Sequence, residues 1–209
     1  MMNVYRIIRS VVFSIIVMSV LSGYSDLIDS NSFDANKAGW NSKLSTNTAQ
    51  AIWITDGIAG DTVYSGVGAL SIVNPYGPVE RWYKLNASSP LITEGTEYEL
   101  SVWVKTADMA LTSTYIEIDW LDSSDNRISL ITSTSISTDQ DWTHLTVSGV
   151  APTGAVKLRP MLMVDGSASS TATVTFDEYL VQSIPEPATM GLFSFFGCAV
   201  LILRRALLH

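Results

Sequence analysis

Six tryptophans, a scatter of carboxylates and a few arginines are the chemistry this chain offers. Trp40, Trp53, Trp82, Trp103, Trp120 and Trp142 all fall in its middle. Flat indole faces suit the C–H side of a sugar ring, and tryptophan carries much of the energy at recognition surfaces. Carboxylate and guanidinium groups beside them would hydrogen-bond the ring hydroxyls. The sharpest combination is Trp82, Trp103, Tyr115, Asp119 and Arg159. Trp103 lies opposite Tyr98, Leu100 and Val102 across its strand, and Arg159 alternates against Leu158, Pro160 and Leu162, so both side chains leave the inner face. Trp82 and Tyr83 are neighbours that point oppositely, so at least one reaches the surface. If that polar face is concave, these five residues form one ligand platform. The plainer reading is an exposed outer face with scattered aromatics.

Catalysis finds less support, and the chain reads as a non-enzyme. Glycoside hydrolysis needs two facing carboxylates, and Glu117 with Asp119 supply a pair. An alternating Glu-x-Asp on a strand is more simply a solvated face. His144 is the one histidine before the C-terminal tail, and Cys198 is the one cysteine of the whole chain. A His-rich zinc site, a cysteine nucleophile and a zincin motif are therefore excluded from the middle. Neither a Gly-x-Ser-x-Gly elbow nor a phosphate-cradling loop is present.

The elements that must position these groups read as strands. In Glu97–Lys105, Tyr98, Leu100, Val102 and Val104 fall on one face, with Glu99, Ser101, Trp103 and Lys105 on the other. Further strands are predicted at Ala51–Ile54, Ala69–Val73, Arg81–Leu85, Tyr115–Leu121, Ile128–Thr132, Thr143–Val147, Val156–Val164 and Thr173–Val181. Turn signals such as Asp56-Gly57, Asn74-Pro75 and Asp165-Gly166 separate them. Asp122 to Asn126 resembles a metal loop superficially, but a hairpin turn explains it better. No amphipathic helix of useful length is evident. The fold class is all-β, a two-sheet β-sandwich or jelly roll spanning residues 26–184. A short Ser/Gln/Pro connector near Gln182 to Pro187 follows it.

Between Asp26 and Ile184 there are 19 acidic and 8 basic residues, a net of 8 − 19 = −11 against −8 for the whole chain. Such a surface repels nucleic acid and anionic headgroups, and suits neutral glycans, calcium or basic partners.

Both ends are greasy. Arg6 and Arg9 precede the apolar stretch Val11 to Leu21, followed by small and polar residues, which is the layout of a secretory signal peptide over residues 1–25. Signal peptidase would cut after Ser25, or less favourably after Ser22; an uncleaved anchor is the other reading. At the C-terminus, Pro185-Glu186-Pro187 leads into the apolar run Ala188 to Leu203, which stops at Arg204-Arg205. That run is read as a short transmembrane helix, 188–203, with its arginines snorkelling on the cytoplasmic side. The order of triplet, short membrane helix and basic cluster resembles the PEP-CTERM sorting signal of Gram-negative bacteria. The resemblance covers residues 185–209 and implies an exosortase-type membrane protease that recognises the triplet and removes the tail. It further implies an inner-membrane-anchored precursor, later released to the cell surface or the extracellular polysaccharide matrix.

Short motifs along the middle carry a second resemblance. They are Asn31-Ser32-Phe33-Asp34 with Trp40 after it, Tyr64-Ser65-Gly66 leading to Ala69-Leu70-Ser71-Ile72, and the strand Tyr98 to Lys105. Asp141-Trp142 and Val174-Thr175-Phe176-Asp177-Glu178 complete the series. In this order they resemble the jelly-roll carbohydrate-binding modules attached to cellulases and xylanases. The resemblance implies polysaccharide binding, core positions for Trp40 and Trp142, and a structural calcium ion held by Asp34 and Asp177. Two departures stand out: Asp34 replaces the longer glutamate and Tyr64 a frequent histidine. The alternative for the metal site is that Asp177 hydrogen-bonds a turn and Asp34 is solvated. The alternative for the whole protein is a structural or adhesive matrix component without a specific sugar ligand.

Overall fold

The computed structural model describes residues 25–28, 33, 40–43, 50–73, 75, 80–84, 89–166 and 170–184. The signal-peptide region, Asp34, and the sorting residues Pro185, Glu186, Pro187, Arg204 and Arg205 lie outside them, as does the apolar run 188–203. Among the described residues no helix is long and apolar enough to cross a membrane.

Among the described residues, eleven strands appear in a compact unit, Ser25–Ile184. They are β1 Ser25–Ile28, β2 Trp40–Lys43, β3 Gln50–Ile54, β4 Ala69–Val73, β5 Glu80–Lys84 and β6 Glu97–Ala107, then β7 Thr112–Leu121, β8 Arg127–Thr132, β9 Gln140–Val150, β10 Lys157–Gly166 and β11 Thr173–Ile184. Every strand predicted from alternation is present. β1 and β2 are additional, and β11 absorbs Gln182, Ser183 and Ile184, which sequence had placed in a connector.

The strands form two antiparallel sheets. One has the order β3-β4-β11-β6-β9, with β1 pairing β11; the other has the order β2-β5-β10-β7-β8. Their facing sides bury the core. Tyr98, Leu100, Val102 and Val104 of β6 meet Ile116, Ile118 and Trp120 of β7 and Leu158, Leu162 and Val164 of β10, all within one cluster. The period-two alternation dictates this, because every second residue of each strand shares a face. An aromatic plug adds to it: Phe33 packs edge-on to Trp53 at 5.3 Å, and Trp40 edge-on to Tyr179 at 5.1 Å. Trp40 is core, as the resemblance implies.

A bulge interrupts β11 between Asp177 and Leu180. Glu178 takes a positive φ of 49° there. The extra residue lets both Phe176 and Tyr179 turn inward, while Asp177 stays on the outer row shared with Trp103.

Candidate functional site

The five residues expected to form one platform divide between the two sheets. Tyr115, Asp119 and Arg159 share the outer face of the five-stranded sheet, where Asp119 pairs with Arg159 and Tyr115 with Met163. Trp103 lies on β6 of the other sheet, so it cannot join them. Trp82 and Tyr83 lie on β5 of the five-stranded sheet, in register with Leu162 and Met161 of β10. Alternation reveals which face of a strand a residue occupies. It does not reveal which sheet the strand joins.

On the five-stranded sheet, Asp119 is fully buried beneath two guanidinium groups. Arg159 grips its Oδ2 with both Nη2 and Nε, the latter at 3.1 Å. Arg127 donates to Oδ1 at 3.4 Å and stands 3.9 Å from Glu117, which is also buried. The solvated Glu-x-Asp face expected from sequence is therefore a shielded charge network. Pairing and hydrogen bonding offset the cost of burying these charges. The four groups sum to zero charge and present fixed guanidinium edges to solvent. Arg127 was missed in the sequence, although it directly follows the Asp122–Asn126 turn and so returns beside the end of β7. That turn is a hairpin turn, as expected: Asp122 Oδ1 accepts from the N–H groups of Ser124 and Asn126 at 2.8 and 2.9 Å. These bonds hold the Asp122 carboxyl below the usual range.

Two residues beyond Tyr115 and Met163, the pair Ser113 and Asp165 continues the same outer row. There the face ends in an open depression of about 440 Å³ lined by Met109, Leu111, Ser113, Ser137 and Asp165, among others. From Asp119 to Ser113 the row runs about 20 Å at strand rise.

The outer face of the six-stranded sheet is built differently. Tyr64, from the loop after β3, stacks on Trp103 with ring centres 4.0 Å apart and planes 10° from parallel. Trp142 meets Tyr64 edge-on at 5.8 Å, and the exposed His144 lies 4.9 Å from Trp103. Trp142 is thus half-buried on an outer face and not core. Asp177 fastens the loop: its Oδ2 accepts from the N–H groups of Tyr64 and Ser65 at 2.9 and 3.1 Å, and its Oδ1 from that of Glu178 at 2.7 Å. Ser65 adds a hydroxyl bond to Glu178. Burial pushes the Asp177 carboxyl up to about 6, with the three N–H donors acting the other way. A shell of N–H donors is what an anion wants, whereas calcium takes six to eight oxygens. Among the described residues no group of three or more metal-ligating side chains stands together. Both Asp177 oxygens are thus committed to N–H donors, and Asp34, the other expected ligand, lies outside the described residues.

No protein-family model matches this sequence. Among curated proteins, it is 29% identical over 167 residues to the tRNA(Glu)-specific nuclease WapA of Bacillus subtilis subsp. natto, spanning 78% of this chain and 7% of that protein. It is 28% identical over 149 residues to the tRNA nuclease WapA of Bacillus subtilis strain 168, spanning 69% of this chain and 6% of that protein. The chain thus corresponds to a small stretch of these relatives. Among solved structures, it resembles the CBM22-1–GH10 modules of Clostridium thermocellum xylanase 10B complexed with xylohexaose: TM-score 0.58, 18% identity, 78% of this chain and 29% of that one. The CBM22-1 xylan-binding domain of Paenibacillus barcinonensis Xyn10C gives a TM-score of 0.51 at 15% identity, covering 75% of this chain and 93% of that domain. The active domain of bacteriophage CBA120 tailspike protein 4 gives 0.57 at 16%, covering 76% and 21%. These likenesses establish the fold: a β-sandwich of the architecture found in carbohydrate-binding modules.

Proposed function

We propose that the sandwich is a non-catalytic jelly-roll module that binds a neutral polysaccharide on the outer face of its five-stranded sheet. The observation that carries this reading is the shielded row of Tyr115, Glu117, Asp119 and Arg159. Together with Arg127, which completes the network to zero net charge, it offers an aromatic ring and two guanidinium groups held in place by buried carboxylates, along a strip long enough for several sugar rings. The resemblance to xylan-binding modules supports the same assignment. The similarity to WapA adds little toward nuclease chemistry, because a body of net charge −11 repels a phosphate backbone. Asp177 serves as a latch for the loop around Tyr64. In the cell, the module is exported by its signal peptide, held by its C-terminal helix, and sorted through Pro185-Glu186-Pro187 by an exosortase-type protease to the surface or matrix.

Xylohexaose titrated into the purified full-length protein, followed by calorimetry, tests the site. Tyr115→Ala weakens binding by tenfold or more, the scale of an aromatic anchor, and Trp103→Ala leaves it unchanged. Loss on Trp103→Ala alone would move the ligand to the other sheet. A wild type that retains neither xylohexaose nor other neutral oligosaccharides leaves the adhesive reading, which the exposed edge strand β8 favours through Ile128 and Leu130.

A further inference from the structure

The turn between β6 and β7 is held in a shape that its sequence does not favour. Asp108 and Leu111 have φ of 55° and 60°. Aspartate tolerates this left-handed region, but leucine is disfavoured there because its Cβ crowds the following carbonyl. Leu111 is also 72% exposed, so core packing does not offset the strain. Three contacts impose the shape. The Met109 N–H donates to Asp139 Oδ1 at 2.9 Å, the Thr112 N–H donates to Met109 O at 3.0 Å, and the Met109 side chain is anchored in the core cluster.

Strain kept at an exposed position, with its neighbours firmly fixed, needs a reason outside the fold. The location supplies one. Leu111 forms a wall of the 440 Å³ depression at the end of the outer row, where Ser113, Ser137 and Asp165 stand as polar counterparts. An apolar wall with a few convergent polar groups is the make-up of a small-ligand subsite. The geometry points to Leu111 as the apolar contact of a terminal sugar subsite, covering the C–H face of a ring whose hydroxyls bond Ser113, Ser137 and Asp165. This inference rests on the glycan reading of the same sheet face.

Two substitutions separate ligand contact from folding. Asparagine accepts the left-handed region but offers no apolar face; methionine keeps both the apolar surface and the strain. In the full-length protein, Leu111→Asn melts at the wild-type temperature or higher, yet binds xylohexaose about fivefold more weakly or worse, in proportion to a partly covered leucine. Leu111→Met binds as the wild type does. If Leu111→Asn binds as tightly as the wild type, the subsite is wrong while the glycan reading stands. If its melting temperature and affinity fall together, Leu111 acts through the fold and the inference is again overturned. A wild type that takes up none of xylohexaose, cellohexaose and mannohexaose, whatever the variants do, removes both.

Discussion

Asp177 is a buried carboxylate held by three backbone N–H groups, and these two circumstances pull its proton affinity in opposite directions. Burial dominates, the neighbouring Glu178 charge adds to it, and the value rises from 3.8 to about 6. A folded value above the unfolded one means that folding takes up a proton between those two pH values. The group's contribution to stability is therefore complete below about pH 3.8 and fades as pH rises through 6. Asparagine at this position keeps one accepting oxygen but turns an NH2 donor toward an N–H, leaving a buried donor unmet. Asp177→Asn should lower unfolding stability by about 1–3 kcal/mol. The deficit, measured by urea denaturation, should be larger at pH 4 than at pH 7, because only the wild type carries the titrating group. A deficit that is the same at both pH values would show that the carboxyl titrates normally.

The loop between β3 and β4 shows what such a latch positions. Its Tyr64 covers the face of Trp103, so an indole on an outer strand row is shielded by its own chain. Tyr64→Ala should shift tryptophan emission to the red and raise acrylamide quenching. It should also cost about 0.5–1.5 kcal/mol beyond lost area, the usual value of an aromatic pair. Unchanged emission would mean that the stack does not form in solution. This stack was hidden from sequence reasoning, since Tyr64 is a loop residue 39 positions before Trp103 and neither periodicity nor spacing links them. Much else at this scale was legible. The alternation of Tyr98, Leu100, Val102 and Val104 named the buried face of β6 correctly, and Arg159 does leave the inner face of β10. Two strands escaped notice for different reasons. β2, Trp-Asn-Ser-Lys, is four residues without apolar alternation, and β1 begins at Ser25, where the leader-like stretch draws the eye to processing. The platform failed because period two assigns faces within a strand, while pairing partners are chosen across more than a hundred residues of chain, as between β1 and β11.

For the whole molecule, the sequence divides into an acidic middle and two apolar ends, and the sorting prediction rests on that division. The run from Ala188 to Leu203 is 16 residues, about 24 Å as a helix, somewhat short of a hydrocarbon core of about 30 Å. On the proposed sorting reading, arginines that snorkel to the headgroups would make up the difference, and the segment would anchor less firmly than a full-length span. β11 ends at Ile184, paired with Glu97, and Pro185 follows at once. In sequence, the triplet follows directly on the last strand of the module. Replacing the triplet with Ala-Ala-Ala should leave the precursor in the inner membrane with its tail intact. Immunoblots of membrane and released fractions, probed at both the module and the C-terminus, would read this directly. Mature-sized module appearing at the surface from the substituted precursor would show that release does not depend on the triplet, and the sorting assignment would fall even if the module binds its glycan.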